Sequence, residues 1–311
     1  MQPIGPEKFM TPQQLSRAVD VSESTLKRWI DRGLIRAYRT AGGHRRLAVT
    51  DVINFLRQSG VAVKFPQAIG LPGLDPDPAT IGSEPEHPSA ERLCDLLAQG
   101  DVHAVQAAIF NLYLKGQRLH TLFDTIVAPA MRCVGERWQH GQLSIFAEHR
   151  STQIMFSVIM RLRAMMLEPR PDAPLAVGAA PEGDPYALPT LLCELTLRDL
   201  GWQTVNLGPY LPLTSLEEAI HTYKPKLAWL SITTQPIHAS PQHFAQLHQT
   251  AKDANCTLVV GGQALAAAPP GLVRADYLGS SLTDFAVIAS SAAPHTHPQP
   301  ATISSEELQA S

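Results

Sequence analysis

Two proline-rich breaks cut this chain into three stretches, two with apolar residues at helical spacing and a third in which short apolar runs alternate with helix-like stretches. The first break runs from Val61 to Pro88 and holds Phe65-Pro66, Leu71-Pro72-Gly73, Asp75-Pro76-Asp77-Pro78 and Glu84-Pro85. The second is Pro169-Arg170-Pro171-Asp172-Ala173-Pro174. Proline lacks a backbone N–H and fixes its own φ, so such runs end helices and strands and act as linkers. The 311 residues leave room for two or three hydrophobic cores. With 44% hydrophobic and 17% charged residues, the bulk of the chain is globular rather than disordered.

The stretch before the first break carries dense helix signals. Thr11-Pro12-Gln13-Gln14 has the form of a capping box with proline in the first turn. After Asp20-Val21, Ser22 is placed to cap a second helix that ends at Gly33. Two short helices joined by a tight turn make a helix-turn-helix. On the second helix Leu26, Trp29 and Ile30 share one face and are expected to bury. Ser24, Thr25, Lys27 and Arg28 are left to face a groove. Next comes a hairpin folded at Gly42-Gly43, with Arg36, Arg39, His44, Arg45 and Arg46 along it. Arginines on such a wing pair with phosphates and set register while the helix reads bases. Thr50 is expected to cap a third helix through Arg57.

Charge agrees with this division. Residues 1–60 hold 10 Lys/Arg against 5 Asp/Glu, a net +5, and the remainder holds 15 against 23, a net −8. A basic end on an acidic body suits a nucleic-acid-binding domain attached to a regulatory one. No apolar run reaches the ~20 residues of a membrane span, and the start lacks the basic and apolar regions of a signal peptide. Cys94, Cys133, Cys193 and Cys256 lie far apart with no C-x-x-C pair. Neither a disulfide framework nor structural zinc is expected, which fits a reducing cytoplasm.

From Ser89 to Glu168 apolar residues recur at helical spacing. Leu93, Leu96, Leu97, Val105, Ala108, Leu112, Leu122, Ile126 and Val127 are expected to line a bundle, with one helix running from Leu119 to Gln139. After the second break, short apolar runs at 175–179, 203–207, 227–233, 257–260 and 275–278 alternate with helix-like stretches, the pattern of a parallel sheet with crossover helices. The expected organisation is 1–60 winged helix-turn-helix, 61–88 linker, 89–169 four-helix bundle, 173–291 Rossmann-like parallel-sheet domain and 292–311 flexible tail. The fold class is multidomain, α and α/β.

The first stretch resembles the winged helix-turn-helix of the MerR family over about fifty residues, most specifically in Gly42-Gly43-His44-Arg45-Arg46. The next 200 residues or so resemble the cobalamin-binding module of light-sensing MerR-type regulators, the CarH/LitR-like group. That group's signature is tryptophan, nine residues, then Glu-His, matched here by Trp138, Glu148 and His149. The resemblance implies that these side chains cover the adenosyl face of adenosylcobalamin. It also implies that Ser231, Thr233, Gly261 and Gly262 line the loops receiving the nucleotide tail. Ligands of open parallel sheets bind beyond the carboxyl ends of the strands, where small residues permit close approach.

Two departures strike the metal chemistry. The group's cobalt motif, Asp-x-His-x-x-Gly, reads Asp184-Pro185-Tyr186-Ala187-Leu188-Pro189. A neutral imidazole ligates such metals well, whereas a phenol keeps its proton at neutral pH and ligates poorly. Pro189 is expected to stiffen the loop beneath the ring. The histidine that follows the tryptophan in the light-sensing members is Gln139 here, and His140, one residue on, points about 100° away on a helix.

The resemblance implies a DNA-binding transcription regulator, not an enzyme, with adenosylcobalamin, another tetrapyrrole or no ligand in the sensor module. Its partners would be double-stranded promoter DNA, further copies of itself as dimer or tetramer, and RNA polymerase or a regulatory protein, with no membrane. A true light-sensing adenosylcobalamin repressor, a corrinoid methyl carrier and a protein-contact anti-repressor are the alternatives. Glu182 and Asp184 form the one carboxylate pair that resembles an acid/base site. Their strand-to-helix junction favours helix capping or ligand lining instead.

Overall fold

The computed structural model describes residues 8–69, 89–234 and 239–293. The Pro-rich residues 70–88 and the tail from 294 onward lie outside the described residues. The described residues form two compact units: one holds those up to Arg118 together with Thr125–Leu167, and the other holds Leu119–Asp124 and those from Glu168 to Ala293.

The first unit begins with β1 (Phe9–Met10), α1 (Pro12–Val19), α2 (Glu23–Asp31), β2 (Tyr38–Arg39), β3 (Arg45–Ala48) and α3 (Val49–Ser59). Thr11 makes the expected capping box, its side chain accepting from Gln14 N while the Gln14 side chain accepts from Thr11 N. Ser22 caps α2 through Thr25 N, and Gly33 follows the helix at φ 75°. The wing is an antiparallel hairpin of β2 and β3, and β1 adds a third strand on the far side of β3. Sequence reasoning missed β1, since two residues carry no periodicity. Thr50 does not cap α3. The helix starts two residues earlier, with Ala48 at the cap and no side-chain bond there; Val49 N is satisfied instead by Lys8 O at 2.9 Å.

Residues 61–69 are not a free linker. Lys64 N and Phe65 N both donate to Ala18 O (2.8 and 2.9 Å), and Ile69 is buried in a short turn that packs on α1.

The bundle of this unit contains α4 (Ala90–Gln99) and α5 (Val102–Leu114). The expected single helix from Leu119 to Gln139 is in fact three pieces. They are α6 (Leu119–Leu122), a wide π-turn segment Phe123–Val127, and α7 (Ala128–Gln139). Pro129 in the first turn of α7 has no N–H for the preceding turn, and the extra-wide segment absorbs the defect. The last bundle helix is α8 (Ile145–Met165). Leu93, Leu96, Leu97, Val105 and Val127 are buried in this unit as the periodicity requires. Ala108, Leu112 and Ile126 are only half-buried, because the inward stripe of α5 is Val105, Ile109, Phe110, Tyr113 and Leu114.

The winged domain is joined to the bundle within this unit. Arg57 of α3 donates to Tyr113 O (3.1 Å) and Gln117 O (3.3 Å), its guanidinium stacked 3.7 Å from the Tyr113 ring centroid. Gly116, at φ 85°, brings its backbone so close that a Cβ would lie 2.8 Å from Arg57 O.

The second unit is a five-stranded parallel sheet of β4 (Leu175–Ala179), β5 (Gln203–Asn206), β6 (Leu227–Ser231), β7 (Thr257–Gly261) and β8 (Tyr277–Gly279), in spatial order β5-β4-β6-β7-β8. Three helices cross over between its strands, α9 (Ala187–Asp199), α10 (Leu213–Tyr223) and α11 (Pro241–Asp253), and α12 (Leu282–Ala292) follows the last strand. This is the Rossmann-like architecture expected from the alternating pattern. Successive strand residues feed opposite faces. Val177, Ala228, Leu230, Leu258 and Val260 pack beneath α10 and α11, whereas Ala176, Leu227, Trp229 and Val259 pack with Leu197 of α9 and Phe285 of α12. The α6 segment, with Leu122, belongs to this unit. Leu119 N donates to Asp199 Oδ2, and Asp124 accepts from Leu282 N, Thr283 N and Thr283 Oγ1 at the start of α12.

Candidate functional site

The candidate nucleic-acid interface is built by α2 and the wing. Leu26, Trp29 and Ile30 are buried, and Trp29 lies against Phe55 of α3 with ring centroids 5.2 Å apart. That packing turns the opposite face of α2 outward: Ser24 and Lys27 are exposed, Thr25 and Arg28 half-buried. The Ser24 and Thr25 hydroxyls each lie within hydrogen-bond reach of Ser22 Oγ (2.8 and 2.9 Å). Arg28 Nε is buried without a hydrogen-bond partner.

On the wing, Arg36, Arg39 and His44 are exposed and Arg46 is half-buried. Arg36 is not on a strand; it precedes β2 and lies 5.0 Å from the Tyr38 ring centroid. Arg45 donates to Asp31 Oδ1 at 2.7 Å, tying the wing to the end of α2. Around that pair is an open cleft of about 590 Å³, lined by Ile30, Asp31, Arg36, Arg39 and Arg45 among others. The fold thus brings Arg36, Arg39 and Arg45 against the last turn of α2. Asp31 is the neighbour of Arg45 that sequence reasoning missed, since a carboxylate in the last turn of a helix carries no motif.

In the bundle, Trp138 occupies the last turn of α7, 44% exposed, and Glu148 and His149 sit in the first turns of α8. The turn Gly141–Ser144 puts all three at one end of these helices. Glu148 Oε2 lies 2.7 Å from His149 Nδ1, and Thr152 Oγ1 donates to Glu148 Oε1. Ile145 and Phe146 beside them are exposed, with the Arg150 guanidinium 5.3 Å from the Phe146 ring centroid. Gln139 is exposed, and His140 Nδ1 lies 2.7 Å from Glu136 O, a local contact that ends the helix.

In the sheet unit, the residues singled out from sequence do gather at the carboxyl ends of β4, β6 and β7. Asp184, only 2% exposed, is the hub. Its Oδ2 accepts from Thr233 N (2.5 Å) and Thr234 N (3.2 Å), and its Oδ1 from Tyr186 N (3.1 Å). It therefore braces the loop after β4 against the loop after β6. The helix-capping role expected from its position is not observed: the cap residue of α9 is Tyr186, with no side-chain cap bond. Pro189 is not in a loop either; it lies in the first turn of α9, where a missing N–H is tolerated.

Tyr186 is 49% exposed, Thr233 half-buried and Ser231 buried. Gly262 has φ 116°, and a Cβ there would meet Ile232 O at 2.2 Å. The backbone of the neighbouring loop thus accounts for this glycine by itself. Gly261 is less constrained, its nearest contact being Gly279 O at 3.3 Å. Among the described residues, no three His, Cys, Asp or Glu side chains gather as a metal site. No helix among them is long and apolar enough to cross a membrane.

Residues 9–60 match the family described as a helix-turn-helix domain, and residues 89–163 match the family described as a B12 binding domain. The HTH-type transcriptional repressor CarH of Myxococcus xanthus is 26% identical over 219 residues, covering 64% of this chain and 70% of that protein. Among solved structures, the monomethylamine corrinoid protein of Methanosarcina barkeri aligns over 64% of this chain and 96% of its own, with a TM-score of 0.50 and 16% identity. At that identity the likeness speaks to the fold alone.

Proposed function

We propose that this chain is a cytoplasmic, MerR-type transcription regulator whose grip on promoter DNA, or whose self-assembly, is set by a cobalamin-type sensor module lacking a protein ligand to cobalt. The reading is supported by one observation: a segment that matches helix-turn-helix domains and carries an Arg-bearing wing shares a chain with a segment that matches B12 binding domains. A methyl carrier has no use for such a wing.

A single winged domain touches few base pairs, so we read the working form as a dimer or larger homo-oligomer on repeated half-sites of duplex DNA. Lys27 and Arg28 on α2 supply base-edge contacts. Arg36, Arg39, His44, Arg45 and Arg46 supply phosphate contacts. Arg28→Ala is expected to cost about 1–3 kcal/mol and to relax specificity, and Arg46→Ala to weaken binding to all sequences and flatten its salt dependence. Electrophoretic mobility shifts at several salt concentrations check this. Unchanged specific binding in both variants would refute the DNA-binding assignment.

The residues of the β4 loop do not fit a cobalt ligand. Tyr186 offers a phenol where the resembling modules offer an imidazole, and the Asp184 carboxylate is spent on three backbone N–H groups. A corrinoid or other tetrapyrrole held by shape and polar contacts is the ligand class this leaves. Mixed with adenosylcobalamin in the dark and desalted, the protein is not expected to retain a stoichiometric, light-responsive complex. A Tyr186→His chain, with the imidazole restored, is expected to retain more. Stoichiometric binding and a light-driven spectral change in the parent chain would return it to the adenosylcobalamin photoreceptors.

A further inference from the structure

Contrary to the expectation from sequence, two of the four cysteines are joined. Cys94 of α4 and Cys133 of α7, 39 residues apart, form a disulfide with Cα atoms 6.2 Å apart. Their separation hides the pairing from any spacing rule; the packing of α4 on α7 creates it. Cys94 is sealed from solvent, while Cys133 is half-buried. An incoming thiolate therefore has its access from the Cys133 side.

The surrounding ties divide unequally between the helices. The carboxyl end of α4 is anchored to α8, where Ser151 Oγ donates to Leu97 O and Arg150 Nη2 to Ala98 O. Its polar tie to α7 is the Arg137–Asp95 ion pair at 2.8 Å, with both side chains roughly a third exposed. Water screens such a pair, so it holds little by itself. Leu93 and Leu97 of α4 and Ala130 and Val134 of α7 are also buried. That apolar packing is expected to hold the bundle core once the bridge is reduced, while the far end of α7, five residues beyond Cys133 at the exposed Trp138, loses its covalent anchor.

The other two cysteines do not compete. Burial, with Asp124 nearby, pushes the Cys193 thiol up to about 12, and burial, with Asp276 nearby, does the same for Cys256. Exchange needs a thiolate.

We propose that Cys94 and Cys133 are a reversible redox pair whose disulfide fixes, and whose reduction frees, the Trp138 end of α7. The oxidant is a low-molecular-weight disulfide of the glutathione class. The Cys133 thiolate attacks one of its sulfurs and expels one thiolate. The Cys94 thiolate then attacks the mixed disulfide at Cys133 and expels the second. The two protein thiols lose two protons and two electrons, and the external disulfide becomes two thiols. Excess external thiol reverses the step. The inference does not depend on which ligand the sensor module takes.

The test equilibrates the full chain in glutathione buffers from fully reduced to fully oxidised, quenches with acid, alkylates under denaturing conditions and reads intact mass. The reduced chain should take four alkyl groups. The oxidised chain should take two, mapping to Cys193 and Cys256, with one transition between the states. Amide exchange across residues 128–139 should be about tenfold faster in the reduced chain, and Cys133→Ser should exchange at that faster rate in every buffer. The half-buried position lets this variant fold, and Cys133→Ala provides a second version. Four alkylated cysteines in fully oxidised buffer would overturn the proposal. So would two in the most reducing buffer, or equal exchange across 128–139 in both states.

Discussion

A Gly178→Ala chain is expected to lose about 3 kcal/mol of stability in urea unfolding followed by circular dichroism. The sign is opposite to the usual one, since replacing a strand-interior glycine normally helps by removing backbone freedom from the unfolded chain. Gly178 of β4 lies in register with Trp229 of β6. A Cβ at Gly178 would sit 2.0 Å from Trp229 Cδ2 and 2.3 Å from Cε2. The indole has nowhere to go: it is 1% exposed, and its Nε1 donates to Thr190 Oγ1 at 2.9 Å. Either the ring leaves its pocket and breaks that bond, or the two strands part. A double-mutant cycle with Trp229→Leu locates the conflict, since the smaller side chain should recover most of the loss. Equal unfolding midpoints for Gly178→Ala and parent would mean that the ring is not seated over this glycine.

The second large effect is at Asp184. Replacing it with alanine strips acceptors from Thr233 N, Thr234 N and Tyr186 N at once. Orphaning partners of a buried charged acceptor costs about 3–5 kcal/mol. The loss should be largely local, because of the residues in these two loops only Ile232 belongs to a core of the sheet. Hydrogen exchange is expected to rise at residues 180–186 and 232–234 while β4, β6 and β7 stay protected. Asp184→Asn keeps the shape but turns an NH₂ toward an N–H, so it should be intermediate. Full protection of both loops in the alanine variant would show that they do not depend on the carboxylate.

What could be read from sequence follows from how local each signal is. The strand starting at Leu175 and the four that follow were legible because apolar runs bounded by breakers need no distant partner. So were the caps at Thr11 and Ser22, where a hydroxyl and the amide it satisfies lie three residues apart. The helix break at Phe123–Val127 was marked by Pro129, yet the periodicity on either side masked it. The pairing of Cys94 with Cys133, the grip of Asp31 on Arg45 and the bracing by Asp184 all join residues 14 to 50 positions apart. No single-chain pattern encodes which helix or loop will lie opposite. At Gly262 the residue was correctly singled out as needing to be small, but the reason differs: Ile232, not an incoming ligand, fills the space.

The Arg57 joint has a practical corollary. Arg57 belongs to the same helix as Phe55, whose ring abuts Trp29 on the reading helix. Its guanidinium ends on two carbonyls and a phenol ring of the bundle. An amputated head ending near residue 69 would strand that guanidinium in solvent and leave the hinge side of the third helix bare. Affinities measured on such a fragment would describe an unmoored part, so operator binding is better compared between full-length chains.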